Sequence, residues 1–142
     1  MGMEQSKIFE PFFAMMLLTL LVWVYMYSRR IPFITRSNLR PEQLTAVEFA
    51  RLSPPAITNP SDNLKNLLEL PTIFYAMVLY LYVRHEVDRV DIIVGWIFVG
   101  FRVLHSGVHC TINVIPVRFW LYAASSAALW FIVIRAAAHL LA

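Results

Sequence analysis

Apolar residues fall along this chain in four long runs separated by short polar stretches, and the runs are too long for the helices of a water-soluble domain. A membrane-crossing helix needs about 20 mostly apolar residues. The first run, Ile8 to Tyr27, carries one charge, Glu10, and predicts a span over about 8–28. A cleaved signal peptide would show a positive start, a shorter apolar core and small closing residues. Here Glu4 and Glu10 flank Lys7, and Tyr25, Met26 and Tyr27 close the run, so the segment reads as retained. A polar loop over about 29–61 follows, where Arg29, Arg30, Arg36, Arg40 and Arg51 alternate with Pro32, Pro41, Pro54, Pro55 and Pro60. Within it, Pro41 opens a possible short helix to Arg51. The second span covers about 62–83, capped by Ser61 or Asp62, with Pro71 about three turns in and expected to bend it. The cluster Arg84, His85, Glu86, Asp88, Arg89, Asp91 reads as a solvated connection. A third span at about 90–110 and, after a turn around Asn113 and Pro116, a fourth at about 117–138 complete a single all-α membrane domain over residues 1–142.

Composition agrees: 59% of the 142 residues are hydrophobic and 15% charged, against roughly 25% charged in soluble domains. Four glycines and no GxGxxG or P-loop pattern exclude nucleotide binding through those motifs. A single cysteine, Cys110, excludes an intramolecular disulfide and any CxxC site. The net charge of +3 comes from basic residues beside apolar runs, which reads as membrane topology rather than nucleic-acid binding. The first loop has five arginines with Lys65 just beyond it, and the second has two arginines balanced by three acids. The long loop is therefore expected on the cytoplasmic side and both termini on the other. In a bacterial host the membrane would be the cytoplasmic one.

Ionisable residues inside a span are costly unless they face the bundle interior, and three spans carry such residues at helical spacing. Asn66 and Glu69 share a face of span two; Arg102, His105 and His109 form a stripe on span three; Arg118, Tyr122 and Ser125 form one on span four. In antiparallel spans, Glu69 lies roughly 9–10 Å and Arg102 roughly 12 Å from the same membrane surface, so the two are expected to meet as a buried pair. Arg118 has no evident acidic partner, which leaves a guanidinium available to an anion. His105 and His109 could begin a metal site, but no further ligands accompany them, Cys110 points about 100° away, and a haem would lack an opposed histidine. Neither a metal nor haem is expected. The small residues Ala123 to Ala128 allow close helix packing, and so small a membrane body is a plausible oligomer.

The order of the spans, Asn66-Leu-Leu-Glu69 followed by Pro71, Arg102-Val-Leu-His105, and Pro116-Val-Arg118 followed by Tyr122 resemble the MAPEG family, membrane-associated proteins in eicosanoid and glutathione metabolism, in a microbial-type member. The resemblance implies an integral membrane four-helix bundle that assembles as a homotrimer, with glutathione as cosubstrate between neighbouring subunits near the cytoplasmic face. It implies Asn66 and Glu69 as a glutathione-binding pair, His105, His109 and Tyr122 as pocket residues, and Arg102 as the structural arginine facing Glu69. Arg118 would stabilise the glutathione thiolate, and Arg30 or Arg36 would bind a glutathione carboxylate. Two departures stand out. Phe119 follows Arg118 where relatives that isomerise prostaglandin endoperoxide carry serine, and Asp62 and Lys65 stand where those enzymes have arginines. The implied activity is therefore that of a membrane-bound glutathione transferase or peroxidase acting on hydrophobic electrophiles or lipid hydroperoxides. The alternatives are a non-catalytic member that binds a lipid or partner protein and, more distantly, a small transporter.

Overall fold

The computed structural model describes residues 5–141. Among the described residues are five α-helices and one 3-10 turn with full bounds: α1 (Phe9–Ser37), the turn Pro41–Leu44, α2 (Ala46–Leu52), α3 (Pro55–Arg84), α4 (Arg89–Cys110) and α5 (Ile115–Leu141). No strand occurs among the described residues. The four long helices are apolar enough to cross a membrane, and at 1.5 Å per residue α1 and α3 extend about 43–45 Å, beyond the roughly 30 Å hydrocarbon layer. Large apolar side chains such as Phe13, Leu17, Leu21, Phe131 and Ile134 stand exposed on the outside. That arrangement is unfavourable in water and ordinary in lipid.

The helices alternate in direction, so two ends form. At one end the start of α1 meets the end of α3, with Phe9 and Tyr82 rings 4.8 Å apart, and Gln5 Nε2 donates to the Val87 carbonyl at 2.9 Å. Here His85 takes a left-handed conformation (φ 57°) and closes α3: its N–H reaches the Tyr82 carbonyl and the Glu86 N–H reaches Leu81, a Schellman stop. The neighbouring charges are not simply solvated. Arg135 of α5 donates from Nη1 to Asp91 Oδ1 at 2.7 Å and to Asp88 Oδ1 at 3.1 Å, and from Nη2 to Asp88 Oδ2. The Asp88 side chain also caps α4 through the Asp91 N–H at 3.0 Å.

Between the ends, Phe74 of α3 and Phe98 of α4 stack at 4.7 Å, and both are fully buried. Gly95 brings α4 against α1: a Cβ there would lie 3.2 Å from the Pro11 ring. Asn63, also fully buried, links α3 to α4 by accepting from Ser106 Oγ at 3.4 Å and donating to Cys110 Sγ at 3.5 Å.

The loop expected over 29–61 is mostly helical. α1 continues through Arg29, Arg30 and Pro32 to Ser37 and stops at Asn38 in a left-handed conformation (φ 46°). α3 starts at Pro55, not at Ser61 or Asp62, with Pro60 and Pro71 inside it. Packing explains the first extension. Phe49 of α2 is buried with its ring 6.0 Å from Phe33 and 4.3 Å beneath the Arg30 guanidinium, so the short helix docks on the continued turns of α1. Pro55, at the first helical position, has its φ preset for α3 and loses no internal hydrogen bond there.

Candidate functional site

At the end opposite the Arg135 clasp, the stripes foreseen on three spans converge on a cavity of about 220 Å³ lined by Asn66, His105, Ile115, Arg118, Phe119 and Tyr122. Arg118 sits one turn into α5, half-buried. Its Nη1 donates to His109 Nε2 at 2.8 Å and to Asn113 Oδ1 at 2.8 Å. A guanidinium nitrogen of this type carries two protons and accepts none, so both Nη1 protons are engaged by neutral groups. No carboxylate bonds Arg118 among the described residues, and its charge is uncompensated by direct contact.

Those donors also set the histidines. Because Arg118 can only donate, His109 accepts at Nε2, and its neutral ring carries the proton on Nδ1. The Asn66 Nδ2 lies 3.5 Å from that Nδ1; two donors would then face each other, so the amide is assigned the opposite orientation, with Oδ1 toward the ring. His105 Nδ1 lies 3.0 Å from the Arg118 carbonyl; a carbonyl only accepts, so this nitrogen carries the proton and Nε2 holds a free lone pair. Both rings are buried, and their centroids are 5.5 Å apart in an edge-to-face arrangement.

Arg102 is the largest fully buried side chain. Its Nη2 donates to the Asn66 carbonyl, and its guanidinium carbon lies 5.4 Å from the centre of the Tyr122 ring, within cation–π range. Its Nε and Nη1, and His105 Nε2, are buried without a hydrogen-bond partner among the described residues.

Several expectations change here. Glu69 and Arg102 do not form a buried pair: Glu69 is exposed, and no ion pair joins them. The Asn66 carbonyl takes the place assigned to the carboxylate, while Glu69 stays within electrostatic range of Arg102 and Tyr122. Arg30 and Arg36 do not reach the Arg118 cavity within one chain. Arg30 lines a hollow with Phe49, Asp62 and Lys65, and Arg36 lines another with Arg29 and Phe33. Lys65 is bound to Asp62 at 2.8 Å, both exposed. Among the described residues no group of three His, Cys, Asp or Glu side chains could hold a metal ion. Asn113 and its partner Asn59 were not singled out by periodicity; both belong to polar stretches at helix ends, where a 3.6-residue pattern carries no information.

Four membrane-length helices, three of which line a polar cavity that holds an arginine without a carboxylate partner, define an integral membrane helical-bundle protein. The sequence profile of the MAPEG family matches residues 8–138, nearly the whole chain, and the protein belongs to that family. Members of the family are glutathione transferases, peroxidases or proteins of lipid metabolism. No curated protein and no solved structure matches the chain significantly.

Proposed function

We propose that the protein is a membrane-bound glutathione transferase or peroxidase acting on hydrophobic electrophiles or lipid hydroperoxides, with Arg118 stabilising the glutathione thiolate. The observation that carries this reading is the state of Arg118. Its Nη1 is held by two neutral acceptors, Nε and Nη2 have no hydrogen-bond partner among the described residues, and the residue lines the cavity. A free thiol has a pKa near 8.5 and is only a few per cent anionic at neutral pH; each unit of depression stabilises the thiolate by about 1.4 kcal/mol. A fixed guanidinium in a partly desolvated pocket does this without a proton transfer of its own.

The thiolate then attacks an electrophilic carbon, forming a C–S bond as the leaving group departs with the electron pair. With a hydroperoxide, sulfur attacks the terminal oxygen and the O–O bond breaks. The lipid alkoxide takes a proton to become an alcohol, and the sulfenic acid condenses with a second glutathione to give the disulfide and water. Asn66, His105, His109 and Tyr122 surround the bound peptide in this reading. The unpartnered Arg102 and His105 atoms support it, because buried polar groups left alone cost about 1–3 kcal/mol each and mark where a polar ligand would be favoured.

A cavity of about 220 Å³ is small for a tripeptide. A homotrimer, with Arg30 or Arg36 of a neighbouring copy closing the pocket and the Arg118 end facing the cytoplasm, completes the proposal; native mass spectrometry showing only monomer would contradict that assembly. One observation favours the non-catalytic alternative: Lys65 is paired with Asp62 and lines the Arg30 hollow rather than the Arg118 cavity, so within one chain it offers no cation to a glutathione carboxylate there. Turnover separates the two. Conjugation of glutathione to a lipophilic halodinitroarene by detergent-purified protein is expected to fall at least about tenfold in Arg118→Ala with assembly retained. Absence of any conjugation or peroxidase activity in the wild type would move lipid or partner binding ahead.

A further inference from the structure

We propose that Asn113, in the α4–α5 connection, is a positioning residue for Arg118: it holds one nitrogen of the guanidinium with a neutral oxygen so that the opposite edge meets the glutathione sulfur with its full charge. The inference rests on the thiolate reading above.

Asn113 does two separable things. Its backbone is left-handed (φ 46°), and its N–H reaches the Val108 carbonyl at 2.8 Å, which turns the chain from α4 into α5. Glycine suits that conformation because it has no Cβ, and asparagine is tolerated there because its short side chain hydrogen-bonds locally. The turn alone would therefore accept glycine. Asparagine adds the side chain, and the amide is held at both ends. Arg118 only donates, so Asn113 Oδ1 faces it at 2.8 Å; Nδ2 then points away and donates to Asn59 Oδ1 on α3 at 3.2 Å. The acceptor that holds Arg118 is thereby tied to a second helix.

Two fixed points, His109 Nε2 from α4 and Asn113 Oδ1 from the connection, take both protons of Nη1 and orient the guanidinium plane. A carboxylate at position 113 would hold the same nitrogen but oppose the charge that a thiolate needs. The other charged or titratable groups around this centre are Asp62 and Glu69 from α3, Arg102, His105 and His109 from α4, and Tyr122 from α5. None of the carboxylates among them is bonded to Arg118, so a carboxylate at position 113 would be its direct negative partner.

The test is the pH titration of the thiolate absorbance of glutathione bound to detergent-purified oligomer, for wild type, Asn113→Asp, Asn113→Gly and Arg118→Ala. Asn113→Asp is expected to move the thiolate midpoint up by about one to three pH units, the range over which a single close charge shifts such groups. Asn113→Gly keeps the turn and loses one holding point, so its midpoint rises by less. Wild-type midpoints in both Asn113 variants, with a raised midpoint in Arg118→Ala, would overturn the role of Asn113 and leave the thiolate reading standing. A wild-type midpoint in Arg118→Ala would overturn both. If Asn113→Asp does not assemble, Asn113→Gly decides alone, and an unchanged midpoint there overturns the proposal.

Discussion

Arg118 owes its chemistry to the kind of partner it has. Two neutral acceptors at 2.8 Å hold the guanidinium in place without cancelling its charge by direct contact, and under the proposed function that charge acts on the thiolate. His109 matters here as an acceptor rather than as an acid. His109→Phe keeps the ring volume and leaves an Nη1 proton unpaired in a half-buried site; hydrogen bonds to charged groups are worth about 1.5–3 kcal/mol, so kcat/KM for glutathione conjugation should fall about tenfold or more. His109→Gln offers an amide oxygen to the same proton and should recover most of that loss. Equal losses in both variants would show that ring shape, not the accepted hydrogen bond, is what position 109 supplies.

Among the elements, α4 and α5 are joined at both ends by polar contacts, through Arg118 at one and Arg135 at the other. Burial alone would raise the Asp88 carboxyl, but the hydrogen bonds from Arg135 and from the Asp91 backbone outweigh it and hold Asp88 below the ordinary carboxylate range. A carboxyl whose pKa is lowered by folding stabilises the fold above its unfolded value, near 3.9, and that contribution is lost as the pH falls through the lower folded value. Thermal stability in detergent should therefore be insensitive to this group at neutral pH and decline below about pH 4. Arg135→Met leaves Asp91, 2% exposed, without its cation, and should cost about 3 kcal/mol at neutral pH, as expected for breaking a buried pair. An Arg135→Met protein that melts with the wild type at neutral pH would contradict the clasp. The sequence showed Asp88 and Asp91 as part of a solvated cluster because Arg135 lies 44 residues further along than Asp91, and no local pattern links them.

For the molecule as a whole, the apolar runs were enough to read four spans and an all-α bundle, because length and hydropathy alone decide whether a helix can lie in lipid. The meeting of Asn66, His105, Arg118 and Tyr122 was also legible, since a spacing of three and four puts residues on one helix face and antiparallel spans bring equal depths together. What escaped depends on contacts between distant segments. Charges at Arg29 and Arg30 read as the end of a span, but Phe49 packs against the turns beyond them and α1 continues. Glu69 read as the partner of Arg102, but a backbone carbonyl took that place. Asn113 read as a turn residue, and its second role appears only when Arg118 and Asn59 lie on either side of it.

The measurement that bears most directly on the account is the ultraviolet difference spectrum of the detergent-purified protein titrated with glutathione near neutral pH, recorded for the wild type and for Arg118→Ala. The account predicts a saturable thiolate band in the wild type that is lost in Arg118→Ala while glutathione still binds. A band of equal strength in Arg118→Ala, or a wild type that binds glutathione without forming one, would contradict it.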